Sequence, residues 1–278
     1  MTVTHTPAPT ITLNNGIEMP SIGLGLFKVE DGALADIIGA ALSADVRMFD
    51  TAPMYGNERA LGNALRASMV SRGEVFVITK ISNDDHGYAR ALSAFEASLA
   101  RLGTDYVDQV LIHWPLPGRG LYIDTWRALV DVAASGRARS IGVCNFDVDQ
   151  IDALINATSI VPSINQVELH PLLQQRNLLQ RMGELGTVVQ AWAPLARGQV
   201  LEHPVVVRLA RFHQVTPAQI VLRWHVQTGV VPIPKSSRLE RIAANADVFH
   251  FRLSESDMQA MSTLNVGHRT GPSSDVIR

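Results

Sequence analysis

The chain has 278 residues and a single cysteine, Cys144, which excludes an intrachain disulfide and a CxxC metal site. An excess of charge of either sign is missing too. The 24 Lys and Arg nearly balance 26 Asp and Glu, for a formal net charge of -2, so there is no basic stripe of the kind that tracks nucleic acid. No apolar run approaches the roughly 18–20 residues needed to span a membrane. The opening Met-Thr-Val-Thr-His-Thr-Pro-Ala-Pro has neither the charged nor the apolar region of a secretory signal. These absences lead us to expect a cytoplasmic protein with no membrane or nucleic-acid partner. The nine histidines show no HExxH or other ligand spacing, so no metal is expected. A Rossmann fingerprint is missing, because Gly23-Leu-Gly25-Leu-Phe-Lys28 lacks the third glycine, and so is a Walker A loop. No Gly/Ser linker divides the chain, so residues 1–278 read as one domain.

What is present is 46% hydrophobic residues, enough for a large core, arranged in a repeating order. Residues 11–19 alternate around Asn15-Gly16, which predicts a hairpin with a type I′ turn. Eight apolar runs follow, at 22–26, 47–49, 75–79, 106–112, 140–143, 163–167, 188–191 and 230–233. Amphipathic stretches come after them, at 34–44, 58–68, 89–102, 123–134, 149–157, 177–185, 205–214 and 239–246. Continuous apolar runs are what parallel strands buried on both faces look like. Eight such units predict an α/β fold of the closed (β/α)8 TIM-barrel kind, a class whose usual length this chain matches. Two further stretches, 217–227 behind Thr216 and 255–264 behind Ser254, read as extra helices. The polar tail from residue 265 onward reads equally as frayed chain or as a lid over one barrel mouth.

In such a barrel the chemistry sits at the carboxyl ends of the strands. Asp50, Lys80 and His113 fall there in three successive units, and Tyr55 lies in the loop after Asp50. Singly, each has a plain alternative: a turn cap, a surface lysine, a satisfied core histidine. Together they form a proton-transfer set. A phenol titrates near 10 in model peptides; a lysine ammonium beside it favours the phenolate and makes it a better acid. Asp50 would keep Lys80 charged and placed, and His113 would orient a substrate oxygen. Such a set polarises and protonates a carbonyl, but it still needs a hydride source, which no side chain supplies.

The second half carries residues suited to a cofactor. Pro234-Lys235-Ser236-Ser237-Arg238 follows the last run, with Arg241 and Asn245 further along the helix. Phosphates often bind there, at a helix start after the last two barrel strands. Lys235, Arg238 and Arg241 could surround a phosphate dianion; taken alone, they read better as a solvated basic helix start. Trp192 offers a flat face to a planar ring, or packs the barrel top. Asn145 and Gln166 can bond a carboxamide.

These residues carry a resemblance. Gly23-Leu-Gly25, Asp50-Thr-Ala-Pro-Met-Tyr55-Gly-Asn-Glu58, Ile78-Thr-Lys80, Leu111-Ile-His113-Trp-Pro115, Gly142-Val-Cys-Asn-Phe146, Asn165-Gln-Val-Glu-Leu-His-Pro171, Ala193-Pro-Leu195 and Ile233-Pro-Lys-Ser236 resemble the aldo-keto reductases, in order along nearly the whole chain. The short loop after Trp114 and the ending Arg269-Thr-Gly-Pro-Ser-Ser-Asp275 look most like the bacterial 2,5-diketo-D-gluconate reductase branch. The resemblance implies an NADP(H)-dependent carbonyl reductase, monomeric, with Tyr55 as general acid, Lys80 and Asp50 tuning it, and His113 orienting substrate. It places Asn145 and Gln166 on the nicotinamide carboxamide and Trp192 on its ring. Lys235, Ser236 and Arg241 would hold the 2′-phosphate and Asn245 the adenine. Gly25, Asp50, Cys144, Leu195, Ser237 and Arg238 complete the expected cofactor site. Phe27, Met54 and Trp114 would line the substrate pocket with Tyr55 and His113, leaving it open to small aldehydes, dicarbonyls and keto-sugars. Cys144 and Ala193 stand where the family usually has serines, and Trp192 where many members have tyrosine. Against an enzyme stands a nucleotide-binding regulatory protein on the same fold; the intact tetrad favours the enzyme.

Overall fold

The computed structural model describes residues 8–274, 276 and 277. The expectation of no secretory signal concerns residues 1–7 above all, and it lies outside the described residues, as does Asp275 of the terminal motif. The chain opens with a hairpin. β1 (Thr10–Thr12) and β2 (Glu18–Pro20) pair antiparallel, Ile11 opposite Met19. The turn differs from expectation. Gly16 has φ 83 but Asn15 is not at positive φ, and the Gly16 N–H donates to Leu13 O at 2.9 Å. This is a type I turn closed by a left-handed glycine, rather than type I′. Side chains explain the choice. Asn15 Nδ2 donates to Arg139 O and Asn14 Nδ2 to Pro162 O, so both asparagines are tied to the foot of the barrel.

Eight parallel strands follow, each on one of the expected runs: β3 (Leu24–Gly25), β4 (Met48–Asp50), β5 (Phe76–Ile81), β6 (Val107–Ile112), β7 (Ala138–Cys144), β8 (Ile164–Glu168), β9 (Val188–Trp192) and β10 (Val231–Pro232). They hydrogen-bond in chain order from β3 to β10. The ring closes where Gly23 N–H meets Pro232 O at 3.1 Å, Gly25 N–H meets Pro234 O at 3.0 Å, and Gly25 bridges Lys235 in parallel. The fold is a (β/α)8 barrel.

The helices are α1 (Leu34–Ser43), α2 (Glu58–Ala67), α3 (Tyr88–Leu102), α4 (Tyr122–Ala134), α5 (Val148–Thr158), α6 (Arg176–Leu185), α7 (Pro204–His213), α8 (Pro217–Gln227), α9 (Leu239–Ala246) and α10 (Glu255–Ser262). The expected cap is present, Ser254 on α10 with Asp257, and Thr216 caps α8 with Gln219 in the same way, each a reciprocal capping box. One assignment changes. The sequence pairs 205–214 with the seventh strand and sets 217–227 outside, but α8 packs against β10 and α9, while α7 packs against α8 and α10. Burial decides it. α8 buries Ile220, Val221, Leu222, Trp224 and His225, whereas α7 buries only Val206, Leu209 and Ala210. The two extra helices are therefore α7 and α10.

Alternation along the strands separates two cores. Phe49, Val77, Val110, Val143, Val167 and Val189 face the helices. Met48, Phe76, Ile78, Leu111, Cys144, Ile164, Val231 and Ile233 fill the barrel, with Leu13 and Met19 of the hairpin plugging its foot. Continuing the inward parity to the carboxyl ends reaches Asp50, Lys80, His113, Cys144, Gln166, Glu168, Trp192 and Lys235. The fold delivers these residues to one mouth.

Candidate active site

The loop carrying Tyr55 is short and braced. Pro53–Tyr55 forms a single 3-10 turn that ends in Gly56 at φ 77. The next residue, Asn57, is fully buried. It donates to Leu26 O at 2.9 Å and to Val29 O at 3.3 Å, and it accepts from Thr51 Oγ1 at 2.7 Å. Glu58, also buried, accepts from Thr79 Oγ1 and from Arg101 Nε, each at 2.6 Å. The Gly-Asn-Glu end of the motif is thus a clamp that fixes the tyrosine loop to three neighbouring segments.

Lys80 is wholly buried. Its Nζ lies 2.7 and 2.8 Å from the two Asp50 carboxylate oxygens, 3.1 Å from Thr51 O and 3.4 Å from Tyr55 Oη. The Tyr55 ring stands edge-on to His113, centroids 5.8 Å apart at 75°, and tilted against Phe27 at 5.1 Å. The structure brings the four sequence-selected residues together. Burial, the largest single effect, would lower the Lys80 pKa, but the groups around it, Asp50 foremost, together outweigh that and hold the ammonium above its ordinary range. Burial, and then the Lys80 charge, hold the His113 imidazole well below its ordinary value. Tyr55 departs from the sequence reading. Burial pushes its phenol up to about 12, and the Lys80 ammonium only partly offsets this. At neutral pH the set is therefore a neutral phenol, a neutral imidazole and a closed ammonium–carboxylate pair. The phenol is a held proton, and Lys80 eases its release from a raised starting point.

Gln166 joins this set to the neighbouring strands. Its amide nitrogen donates to Asp50 Oδ2 at 2.8 Å and to Gln190 Oε1 at 3.0 Å, with Cys144 Sγ 3.7 Å from its oxygen. Gln190 had no place in the sequence reading; it is buried in the barrel and approaches Met19 Sδ at 3.3 Å. Asn145, at φ 65, donates to His113 O and to Cys144 Sγ, each at 3.1 Å, and accepts from Trp192 Nε1 at 2.7 Å. Burial pushes the Cys144 thiol up, so it stays protonated. The half-exposed Trp192 ring is thereby anchored by its own N–H to one of the expected carboxamide ligands.

The basic segment lies across the seam. Gly25 bridges Lys235, and Lys235, Ser237, Arg238 and Arg241 are exposed. Among the described residues none of these three cations takes part in an ion pair. Ser236 is turned inward: its Oγ donates to Arg238 O and accepts from Arg238 N–H, each at 3.1 Å, bracing the entry to α9, where Asn245 is buried. Leu195 is half-buried against the core around the barrel. On the substrate side Phe27 is 49% and Met54 58% exposed, and Trp114 is half-buried. No cluster of three or more metal-ligating side chains occurs among the described residues.

Residues 265–274 are laid over the mouth. Val266 and His268 N–H groups donate to Leu172 O, Gln174 N–H to Asn265 Oδ1, and Thr270 and Gly271 to Glu168. Of the two sequence readings of the tail, the lid is the one realised for these residues. Glu168 was absent from the sequence-selected set; its inward parity in an apolar strand was the available signal.

Comparison with known proteins agrees with this geometry. The model of the Aldo/keto reductase family matches residues 21–266. The chain is 46% identical to morphine 6-dehydrogenase of Pseudomonas putida, covering 95% of this chain and 94% of that one. It is 45% identical to glyoxal reductase of Bacillus subtilis, covering 96% of each. The crystal structure of an aspartate-to-alanine variant of Gox0644 in complex with NADPH superposes with a TM-score of 0.94 at 38% identity, over 98% of this chain and all of that one. A barrel with this tetrad at its mouth and these relatives along nearly its full length belongs to the aldo/keto reductase family.

Proposed function

We propose that the chain reduces aldehydes and ketones with NADPH, and runs the reverse oxidation with NADP, using Tyr55 as the proton donor. The observation that carries this is the Lys80 ammonium, fixed by both Asp50 oxygens and reaching Tyr55 Oη at 3.4 Å beside the neutral His113. A carbonyl oxygen placed between Tyr55 Oη and the His113 ring accepts hydrogen bonds from both, which polarises the carbonyl. As charge develops on that oxygen, Tyr55 gives up its proton, and the ammonium at 3.4 Å stabilises the phenolate left behind.

The residues present fit a dinucleotide phosphate. Three exposed cations sit at a helix start without carboxylate partners among the described residues, and a tryptophan ring stands half-exposed at the end of β9. Lys235, Arg238 and Arg241 would hold the 2′-phosphate, Asn245 the adenine side, Asn145 and Gln166 the carboxamide, and Trp192 the ring. When bound, the reduced nicotinamide supplies the hydride. Trp192 and the amides orient that ring, and the tail over the mouth restricts water. The exposed Phe27 and Met54 leave the substrate side open, which suits small aldehydes, dicarbonyls and keto-sugars. The glyoxal reductase and morphine dehydrogenase relatives support a carbonyl/alcohol couple.

Initial rates of NADPH oxidation across a carbonyl panel led by methylglyoxal and an aromatic aldehyde, repeated with NADH, test the reading. The expected result is turnover of several members with NADPH preferred. No turnover anywhere in the panel removes the reductase assignment, and a preference for NADH removes the roles of Lys235 and Arg241.

A further inference from the structure

Glu168 ends β8 pointing inward and is 1% exposed, yet the chemistry above gives it nothing to do. Its carboxylate is crowded with donors. Oε1 accepts from the Thr270 N–H and hydroxyl, each at 2.6 Å, and from the Gly271 N–H at 3.2 Å. Oε2 lies 3.3 Å from the Gly271 nitrogen and 3.6 Å from Arg269 Nη1. His170 Nε2 stands 3.2 Å from Oε1. Three successive tail residues are fastened to one buried carboxylate. Burial pushes its pKa up, but the hydrogen bonds from His170 and Thr270 outweigh that and hold it below the usual range.

Just past this clasp the tail meets Trp192, the register partner of Glu168 across β8 and β9. A Cβ on Gly271 would fall 2.5 Å from Trp192 Cη2 and 3.0 Å from Cζ3, so the tail backbone abuts the ring with no room for a side chain. Trp192 in turn holds Asn145. The tail also borders a cavity of about 530 Å³ whose walls include Asn145, Asp147, Arg176, Arg269 and Pro272. Upstream the tail is pinned as far as His268 by Leu172. Beyond that point, beside open space, the position of residues 269–271 depends on the polar clasp.

We propose that Glu168 is a positioning residue for the cofactor site: by clasping Arg269, Thr270 and Gly271 it holds the tail against Trp192, sets the pose of that ring and slows the departure of the nicotinamide cofactor. This rests on Trp192 being the platform for the nicotinamide ring.

The test is the NADPH dissociation rate, by stopped-flow displacement, with KM and kcat, for the unaltered chain, Glu168→Gln, Thr270→Val and the double variant. Each single change is expected to speed release about five- to tenfold, the loss of a charge-assisted hydrogen bond. KM for NADPH should rise in step and kcat should not fall. The double variant should add little, because both changes break one clasp. Gly271→Ala, which leaves the carboxylate intact but drives a methyl into the ring, should act in the same direction. Thr270→Val alters only the half-buried tail, so the test stands if Glu168→Gln does not fold. Release within twofold of the unaltered rate in the single variants that fold overturns the proposal. Faster release with a proportional fall in kcat also overturns it, since that marks general loosening. An unaltered chain that binds no NADPH removes the cofactor reading itself, and this inference with it.

Discussion

The two sides of the barrel mouth handle charge in opposite ways. At β4 to β6 the ammonium of Lys80 is buried and closed against Asp50, so the fold itself neutralises it. At the start of α9, Lys235, Arg238 and Arg241 stay exposed, unpaired among the described residues. The first arrangement costs desolvation in every folded molecule and has its dipoles in place before substrate arrives. The second leaves its cations hydrated, free to take up the dianion proposed above. On the function proposed above, chemistry would be built into the folded state on one side, while on the other, recognition would be completed by the ligand. Changes on the first side should register in kcat and stability, and changes on the second in KM alone.

The strongest attack on that contrast is Tyr55→Phe. It removes the held proton, and kcat should fall by about 10²- to 10⁴-fold while NADPH binding holds; a variant retaining the full rate would remove the acid from the tyrosine. Lys80→Met comes next. It strands Asp50 in a buried site, and urea denaturation should show a loss of about 3–5 kcal/mol; unchanged stability would mean the pair is not closed in solution. The third concerns pH. Folding holds His113 neutral at pH values where the unfolded imidazole, with its pKa of about 6.5, takes up a proton. Its contribution to stability is thus complete above 6.5 and is lost as pH falls toward the lower folded pKa. His86 and His225, each held at about 4 mainly by burial, act with the same sign. Replacing His113 by Gln should flatten the stability–pH slope below pH 6.5 by up to about 1.4 kcal/mol per unit. On the other side, Arg241→Ala should raise the NADPH KM about tenfold, near 1.4 kcal/mol, with NADH kinetics and urea midpoint unmoved. A drop in kcat there would blur the contrast. Smallest is Cys144→Ser, which trades a weak donor for a stronger one: NADPH affinity should rise by less than about 1 kcal/mol, read by titration.

The eight strands were legible because each is buried on both faces and so reads as a continuous apolar run. The tetrad was legible because polar residues ended three such runs in succession. Other features depend on quantities a linear pattern does not carry. Both 205–214 and 217–227 are amphipathic, and only packing shows that α8 lies on the barrel. The hairpin turn is decided by asparagine contacts to Arg139 and Pro162, distant in the chain. Proximity of Lys80 to Tyr55 could be inferred from strand order, but the larger effect of burial on the phenol could not. The Trp192–Asn145 bond joins residues 47 apart and the Glu168–Thr270 clasp residues 102 apart, and neither has a local signature.

The ring is sealed by Gly25 and Lys235, near opposite ends of the chain. On the ribosome Asp50, Lys80 and His113 emerge long before the strand that closes the ring around them. Contacts of such long sequence separation make closure slow. A dinucleotide reaching from Gln166 to Arg241 would touch the last strands and the helix beyond the seam, so cellular NADPH would favour the closed ring by mass action. On the function proposed above, the cofactor would then steady the seam of the barrel as well as take part in the reaction.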